Sequence, residues 1–280
     1  MIRAASITAA LLLSAAAVLP AQSRNRDSFG LSRDSWCRDA RDADFCEVRE
    51  ATLNDVNAVA VDARGNGGVV VRGWDRNDAQ VRVRLTTYAR NDDDARALAR
   101  DVRLTTSGGV IRMDGPRGDG RGRSRGDRRD REWWGAAFEL QVPRSARVSV
   151  DATNGGVVIE DIRGSVDAET TNGGLAFYDV GGEVRGRAVN GGVTVELTGD
   201  RWQGPGLDVR TTNGGIRVLL PSDFSGELDA RAVNGGISVD FPITVQGLLN
   251  NRREVRATIG SGGPPIRVAT TNGGVRIARR

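Results

Sequence analysis

The stretch Asp151-Ala-Thr-Asn-Gly-Gly156 contains a motif, Asn-Gly-Gly, that recurs through the second half of the chain. Its regular copies begin at Asn154, Asn172, Asn190, Asn213, Asn234 and Asn272, and an outlying copy begins at Asn66. Apolar residues alternate with polar ones on both sides of each copy, which is typical of half-buried strands. Each repeat is therefore predicted to be a strand, an Asn-Gly-Gly corner and a second strand. Asn and Gly tolerate the positive φ of a tight reversal, so Gly173 is expected to adopt one.

Two all-β folds are compatible with such a repeat. One is an antiparallel meander or sandwich of hairpins, since Asn-Gly between alternating strands is a strong hairpin signal. The other is a parallel β-solenoid, in which each repeat is one coil. The intervals from Asn154 to Asn172 and from Asn172 to Asn190 are both 18 residues, and a near-constant period favours the solenoid. In that fold the corner asparagines would stack into a hydrogen-bonded row at about 4.8 Å spacing.

The run Phe138-Glu-Leu-Gln-Val-Pro143, followed by the Asn-Gly-Gly repeats, resembles a bacterial family of adhesin-like proteins, domain of unknown function 4097. It is similar, more loosely, to the head domains of autotransporter adhesins. The resemblance covers about residues 45–280. It implies a right-handed β-solenoid at the cell envelope, and it carries over no catalytic residue.

The N-terminal residues predict export. Residues 1–21 combine Arg3, a short apolar run and Pro20-Ala21, as in a secretory signal peptide. In the segment 22–52, Cys37 and Cys46 are the two cysteines of the chain, and an exported pair is expected to form a disulfide. The alternative is a reactive or metal-bound pair. We expect a soluble mature protein in the periplasm, on the cell surface or in the medium, without a transmembrane segment.

The remaining chain divides into three parts. Residues 53–114 are predicted to form N-terminal β coils and one amphipathic helix, 91–103, which begins at the N-cap Asn91. That helix is expected to cap the solenoid, or alternatively to bind a partner. Residues 115–132, rich in Arg, Gly and Asp, are predicted to be a disordered loop. Residues 133–280 are predicted to form the repeat solenoid, whose final coil is expected at an exposed edge protected by arginines such as Arg280.

The composition excludes several kinds of chemistry. The chain has 280 residues, a formal net charge of +4 and no histidine or lysine. Histidine-dependent triads, histidine metal sites and lysine Schiff bases are therefore excluded, and no cofactor or metal is predicted. Nucleic-acid binding is not expected, because charges of both signs are mixed along the chain.

The residues leave two functional hypotheses. We expect a non-enzymatic envelope protein, a structural or adhesin-like surface module whose partner is an envelope glycan or another surface protein. The alternative is a carbohydrate-active β-helix enzyme that uses paired carboxylates. A carboxylate cleft beside Trp202 or beside Trp133-Trp134 would favour the enzyme, and a smooth wall of alternating charges would favour the surface module.

One column of cations is a candidate binding site. Arg187, Arg210 and Arg231 lie three positions before their corner asparagines and would stack about 5 Å apart on one wall of a solenoid. They would form an anion-binding strip for envelope phosphates or acidic polysaccharide. The favoured alternative is that Asp208 and Asp229 neutralise them across neighbouring coils.

Overall fold

A computed structural model describes residues 33–38, 40, 42–116, 132–240, 243–245 and 253–280. The predicted leader, residues 1–21, and most of the predicted loop, 115–132, lie outside these residues. Within the described part, the helices are Arg33–Arg38 (α1) and Asp92–Asp101 (α2), and Ser107–Gly109 is a short 3-10 turn. The strands are β1 Phe45–Leu53, β2 Ala58–Asn66, β3 Val69–Trp74, β4 Ala79–Tyr88, β5 Arg103–Thr105, β6 Val110–Asp114, β7 Trp133–Pro143, β8 Arg147–Asn154, β9 Val157–Glu160, β10 Ser165–Asn172, β11 Leu175–Tyr178, β12 Glu183–Asn190, β13 Val193–Glu196, β14 Gly206–Asn213, β15 Ile216–Leu220, β16 Gly226–Asn234, β17 Ile237–Val239, β18 Ile243–Val245, β19 Glu254–Ile259, β20 Pro265–Asn272 and β21 Val275–Arg279.

These strands form two large mixed sheets, which confirms the all-β class. The ten-stranded sheet has the order β1-β4-β7-β3-β9-β11-β13-β15-β21-β17. The eleven-stranded sheet has the order β18-β19-β16-β20-β14-β12-β10-β8-β2-β6-β5. In each repeat the strand before Asn-Gly-Gly joins the larger sheet and the strand after it joins the smaller one.

Neighbouring repeats pair in parallel and in register. Asn172 lies between Asn154 and Asn190 in the larger sheet, and Phe177 lies between Ile159 and Val195 in the smaller one. Antiparallel pairs occur towards the ends of the sheets, between β1 and β4, β4 and β7, β5 and β6, β16 and β19, and β18 and β19. Among the described strands, the Asn-Gly-Gly repeats therefore pair with one another in parallel, and antiparallel pairing involves the strands that flank them.

The position of the final repeat differs from the expectation. Strand β20 lies between β14 and β16, and β21 lies between β15 and β17, so the final repeat is internal and not at an edge. The reason is that β19 folds back and pairs antiparallel with β16, occupying one side of that strand. The following strand, β20, pairs with the other side. The prediction that the C-terminal arginines protect an exposed edge strand is therefore wrong.

The core lies between the sheets and is filled by the inward residues of the alternating pattern. The links between repeats add apolar side chains to it, and Ile162 and Val180 are both buried. Three buried threonines of the repeats donate from their hydroxyls to glycine carbonyls: Thr170 to Gly155, Thr211 to Gly191 and Thr270 to Gly214, at 3.0, 2.7 and 2.7 Å. These hydrogen bonds satisfy polar groups that would otherwise be costly inside the core.

The helix α2 begins where the sequence predicts. Asn91 Oδ1 accepts a hydrogen bond from the Asp94 amide at 2.9 Å, which is an N-cap. The helix packs against β1 and β4 at one end of the smaller sheet, where the Thr87 hydroxyl donates to Ala95 O at 2.9 Å. Arg49 of β1 donates to Ala99 O at 2.6 Å near its C-terminal end.

A disulfide joins Cys37 and Cys46, as predicted, with 5.8 Å between their Cα atoms. It ties α1 to the start of β1. Among the described residues, neither helix has the length and apolar character required to span a bilayer.

Candidate binding surface

The side chains of the corner asparagines lie one above another in a hydrogen-bonded row, which we call the amide ladder. Each Nδ2 donates to the Oδ1 of the neighbouring asparagine at 2.7–3.0 Å. The donor–acceptor pairs are Asn154–Asn66, Asn172–Asn154, Asn190–Asn172, Asn213–Asn190, Asn272–Asn213 and Asn234–Asn272. Because all the bonds point the same way, the amide dipoles are aligned and strengthen one another. Within the ladder Asn66 only accepts and Asn234 only donates.

The first glycine of each corner is required by a close backbone contact. A Cβ atom on Gly155 would lie 2.0 Å from Gly67 O, and one on Gly173 would lie 2.1 Å from Gly155 O. Gly173 does not have the positive φ that the sequence suggested, so that prediction is wrong. Glycine is needed there because the carbonyl of the neighbouring repeat occupies the space of a side chain.

The predicted arginine strip lies on the outer wall of the larger sheet but is interrupted. Arg187 and Arg210 are register partners on β12 and β14. Arg210 and Arg231 are not neighbours, because Ala269 of the inserted strand β20 is paired with both. The expectation of three stacked arginines from successive units is therefore wrong. The arginine strip is interrupted because the last repeat is inserted between β14 and β16.

Each arginine of the strip has a carboxylate partner. Arg187 donates to Glu169 on the neighbouring strand. Arg210 donates from Nε and Nη2 to its own strand's Asp208 at 2.9 and 2.8 Å. Arg231 pairs in the same way with Asp229, at 3.2 and 3.3 Å. The expected neutralisation by the two aspartates thus occurs, but along each strand and not across coils.

The same wall contains a carboxyl group that is harder to ionise than usual. Burial, and next the nearby charge of Glu169, raise the pKa of Asp167, although Arg187 and Arg185 oppose the shift. The hydrogen bonds from Arg210 to Asp208 raise the pKa of the Arg210 guanidinium. The wall is therefore a surface of local ion pairs.

Asn66 is the terminal residue of the amide ladder, and a cleft of about 460 Å³ opens beside it. Strands β2 and β6 pair only from Ala60 to Asp62, and then they separate. A β-bulge bends β2 at this point, because Arg64 and Gly65 lie opposite the single residue Thr153 of β8. Strand β7 of the smaller sheet contributes Trp134 to the lining.

Two arginine–aspartate pairs line this cleft. Arg64 donates from Nε to Asp62 Oδ1 at 2.8 Å and from Nη2 to Oδ2 at 2.6 Å. Arg112 Nε donates to Asp114 Oδ2 at 2.9 Å, and the Thr105 hydroxyl donates to the same oxygen at 2.7 Å. Hydrogen bonding to Arg64 lowers the pKa of Asp62, and the hydrogen bonds from Thr105 and then Arg112 lower the pKa of Asp114. Both carboxyls are thus ionised at neutral pH.

The tryptophans that the sequence singled out have different roles. Trp133 stacks on Tyr88 with 3.7 Å between ring centroids. Trp134 lines the cleft, and its indole nitrogen donates to Pro116 O at 3.0 Å, which holds the ring in place. Trp202 is only 3% exposed and donates to Gly182 O at 3.0 Å, so it belongs to the core.

Residues 95–278 match the sequence profile of the Toastrack family, DUF4097. The chain belongs to the Toastrack family. The Toastrack region begins inside α2 and contains the regular Asn-Gly-Gly repeats. Asp114 and Trp134 of the cleft lie inside the Toastrack region, whereas Asp62, Arg64 and Asn66 precede it.

Several solved structures are similar to this Toastrack chain. A "putative cell adhesion protein" from Clostridium sporogenes has 9% identity and a TM-score of 0.43, over 84% of this chain and 100% of its own. A "putative adhesin" from Bacteroides fragilis has 12% identity and a TM-score of 0.40, over 84% and 97%. A "putative lipid binding protein" from Parabacteroides distasonis has 11% identity and a TM-score of 0.26, over 83% and 96%. A search of curated proteins gave no match.

Sequence reasoning identified Trp134 but missed the polar residues of the cleft. The pair Asp62 and Arg64 lies about 50 positions from the pair Arg112 and Asp114, and all four look like ordinary outward residues of alternating strands. A weak signal existed, because the Asn66 copy has one residue more than the regular repeats between its last inward alanine and the asparagine. That extra residue forms the bulge of β2 opposite β8, directly after the point where β2 and β6 stop pairing.

Proposed function

We infer that this Toastrack chain is an exported, non-enzymatic module of the bacterial cell envelope that provides a rigid surface for structural support or binding. The observation that carries this proposal is the amide ladder, which joins seven repeats by hydrogen bonds in one direction. Such a stack has many cooperative contacts between neighbours and few places to bend. It suits a module that presents a fixed surface.

Export is supported by two features. The signal-peptide pattern of residues 1–21 predicts secretion. The disulfide between Cys37 and Cys46 is of a kind that persists in oxidising compartments such as the periplasm and the cell exterior.

The repeats are proposed to wind as a right-handed parallel β-solenoid, with α2 covering one end. Parallel, in-register pairing of successive repeats in both sheets supports this winding. A right-handed path is the usual connection between parallel strands. The contacts of α2 with β1 and β4 support a capping role for the helix.

The cleft has the arrangement expected of the enzymatic alternative, because it places two carboxylates, Asp62 and Asp114, beside Trp134. A glycosidase of the usual kind needs one carboxyl with a raised pKa to protonate the leaving group. Here the pKa of each carboxyl is lowered by its hydrogen-bond donors. Asp167, whose pKa is raised, lies on the outer wall. These features support binding over hydrolysis.

The proposed partner is an envelope glycan or another surface protein. An acidic polysaccharide on the arginine strip would have to displace Glu169, Asp208 or Asp229 from their arginines. We therefore expect that a variant with Arg187, Arg210 and Arg231 all replaced by Gln keeps its retention on a lipopolysaccharide or acidic-glycan column. A clear loss of retention would assign binding to the arginine strip.

Two measurements test the proposed function. Expression of the full chain in a Gram-negative host, followed by fractionation and N-terminal sequencing, should give a mature N-terminus close to residue 22 outside the cytoplasm. Purified protein should also sediment with isolated cell envelopes without releasing reducing sugar. An intact Met1 in the cytoplasm would contradict export, and sugar release that Asp62→Asn abolishes would establish the enzyme instead.

A further inference from the structure

The cleft beside Trp134 has the composition of a binding site for an uncharged polar ligand. Two carboxylates, Asp62 and Asp114, and two guanidiniums, Arg64 and Arg112, line it, and their formal charges cancel. A ligand with a net charge therefore gains little from long-range attraction. A ligand with several hydroxyl groups gains more, because it can accept from one group and donate to the next.

The ion pairs leave hydrogen-bonding capacity for such a ligand. A carboxylate offers about four lone-pair sites and a guanidinium five N–H donors. Arg64 occupies three of the acceptor sites of Asp62, two through its side chain and one through its backbone amide, and two of its five guanidinium donors are used in doing so. Because the pair holds both groups in place, a ligand does not have to order them when it binds.

An apolar surface completes the lining. Trp134 and Met113 border the same space as the ion pairs. The hydrogen bond from the indole to Pro116 fixes the plane of the Trp134 ring before any ligand arrives. An aromatic face of this kind packs against the C–H face of a sugar ring and excludes water from it. Apolar walls with a few fixed polar groups, enclosing a few hundred Å³, are typical of small-ligand sites.

The amide ladder adds a further donor at this cleft. Asn66 accepts from Asn154 but gives no hydrogen bond within the ladder, and it lines the cleft. The aligned amides of the ladder polarise this terminal group, so its nitrogen is a better donor than an isolated amide.

We propose that the cleft formed by Asp62, Arg64, Asn66, Arg112, Asp114 and Trp134 binds a neutral saccharide unit at the end of an envelope glycan. This proposal rests on the proposed function and names the site and ligand class of the binding module. The hydroxyl groups of the sugar contact the two ion pairs and Asn66, and its apolar face lies on Trp134. The size of the cleft suits one or two sugar rings.

The experiment uses the full exported chain and defined probes. Glucose, galactose, mannose, N-acetylglucosamine and cellobiose are titrated by calorimetry and saturation-transfer NMR, with glucuronic acid and inorganic phosphate as charged comparisons. At least one neutral sugar is expected to bind, with less than about a twofold change in Kd between 50 and 500 mM NaCl, because the contacts are short-ranged. Binding of only the charged probes, or of none, overturns the proposal.

Variants locate the site. Arg64→Gln is expected to weaken binding of the neutral sugar about tenfold, because it removes guanidinium donors that the sugar hydroxyls would accept from. The Arg64 side chain is 69% exposed, so the substitution leaves no cavity in the core. The matched control is Arg210→Gln, which breaks an arginine–aspartate pair of the same two-residue spacing on the outer wall and should leave Kd unchanged. Trp134→Ala should also abolish most binding. Equal affinity of Arg64→Gln and Arg210→Gln overturns the assignment even if Trp134→Ala does not fold.

The outcome also separates this proposal from the proposed function. If wild-type protein sediments with cell envelopes but Arg64→Gln does so equally well and no neutral sugar competes, the cleft is not the binding site and the surface module stands. If wild-type protein neither sediments with envelopes nor binds a sugar, both proposals fail.

Discussion

Asn272 donates its side-chain amide to Asn213 Oδ1 at 2.7 Å, although 59 positions separate the two residues in the sequence. Asn234, which comes earlier in the chain than Asn272, donates to it in turn at 2.9 Å. The last repeat is thus seated between two earlier ones without any reversal of the amide ladder. Every interior member both donates and accepts, so the effect of a substitution should depend on its place in the row.

An aspartate scan of the amide ladder should show its direction. A carboxylate accepts hydrogen bonds but cannot donate when ionised. Asn190→Asp loses its donation to Asn172 and brings a carboxylate against Asn172 Oδ1, so the free energy of unfolding should fall by about 1–2 kcal/mol. Asn66→Asp keeps its role as acceptor from Asn154 and should cost under about 0.5 kcal/mol. Urea denaturation measures both, and equal losses would contradict the stated direction.

The two glycines of one corner provide a matched pair. Gly155→Ala places a methyl group 2.0 Å from Gly67 O, which the stack cannot accommodate without shifting its backbone. We expect it to lower the free energy of unfolding by about 3 kcal/mol or more. Gly156→Ala meets its nearest atom at 3.6 Å, an ordinary contact, and should be nearly neutral. If thermal unfolding gives the two variants the same Tm, the close approach is not what requires glycine.

The buried threonines stabilise the corner through their hydroxyl groups. Thr211→Val keeps the shape of the side chain but removes the hydrogen bond to Gly191 O. The expected loss in free energy of unfolding is about 1 kcal/mol. Thr211→Ser keeps the hydroxyl group and removes only the methyl group, so it is the control for the valine variant. A valine variant as stable as wild type would mean that the hydroxyl contributes nothing.

Two aspartates should respond to pH with opposite signs. The pKa of Asp167 is raised above its ordinary value of 3.8, so ionisation costs more in the folded protein than in the unfolded one. That cost is absent below pH 3.8 and is complete once the pH has risen through the folded pKa. Asp167→Asn should therefore raise Tm at pH 7 and leave it unchanged near pH 3.

The pKa of Asp62 is lowered from 3.8, so its ionised form stabilises the fold above that pH. This contribution is lost as the pH falls through the folded pKa. Asp62→Asn should therefore lower Tm at pH 7, and its deficit should shrink as the pH is lowered below 3.8. Calorimetric Tm values for both variants at several pH values test the pair, and changes of the same sign at pH 7 would refute it.

The sequence predicted those features that depend on neighbouring residues. The alternation around Asn172 predicted its two strands, and the polar residues after Asn91 predicted the start of α2. It did not predict the order of the stack, because the flanks of Asn213, Asn234 and Asn272 are equally good neighbours for one another. Their order is decided by β19, whose return path occupies one side of β16.

The cleft could not be predicted from the sequence either, because it also depends on how distant strands pair. Its lining residues come from β2, β6 and β7, and a single bulge at Arg64 and Gly65 brings them together. Local sequence patterns carry little information on how far two strands continue to pair. The positive φ assigned to Gly173 was wrong because the same residue type serves both a left-handed turn and a close backbone approach.

The internal position of the last repeat also matters during translation. A ribosome delivers Gly226–Asn234 before Pro265–Asn272, so β20 can take its place between β14 and β16 only after both of those strands have been made. A nascent chain that stops before residue 265 would lack the middle layer, so β14 and β16 would either pair directly with each other or leave their edges open. Such edges recruit strands from other nascent chains. A nonsense mutation shortly before residue 265 should therefore be damaging, because it removes an internal layer of both sheets and not an edge.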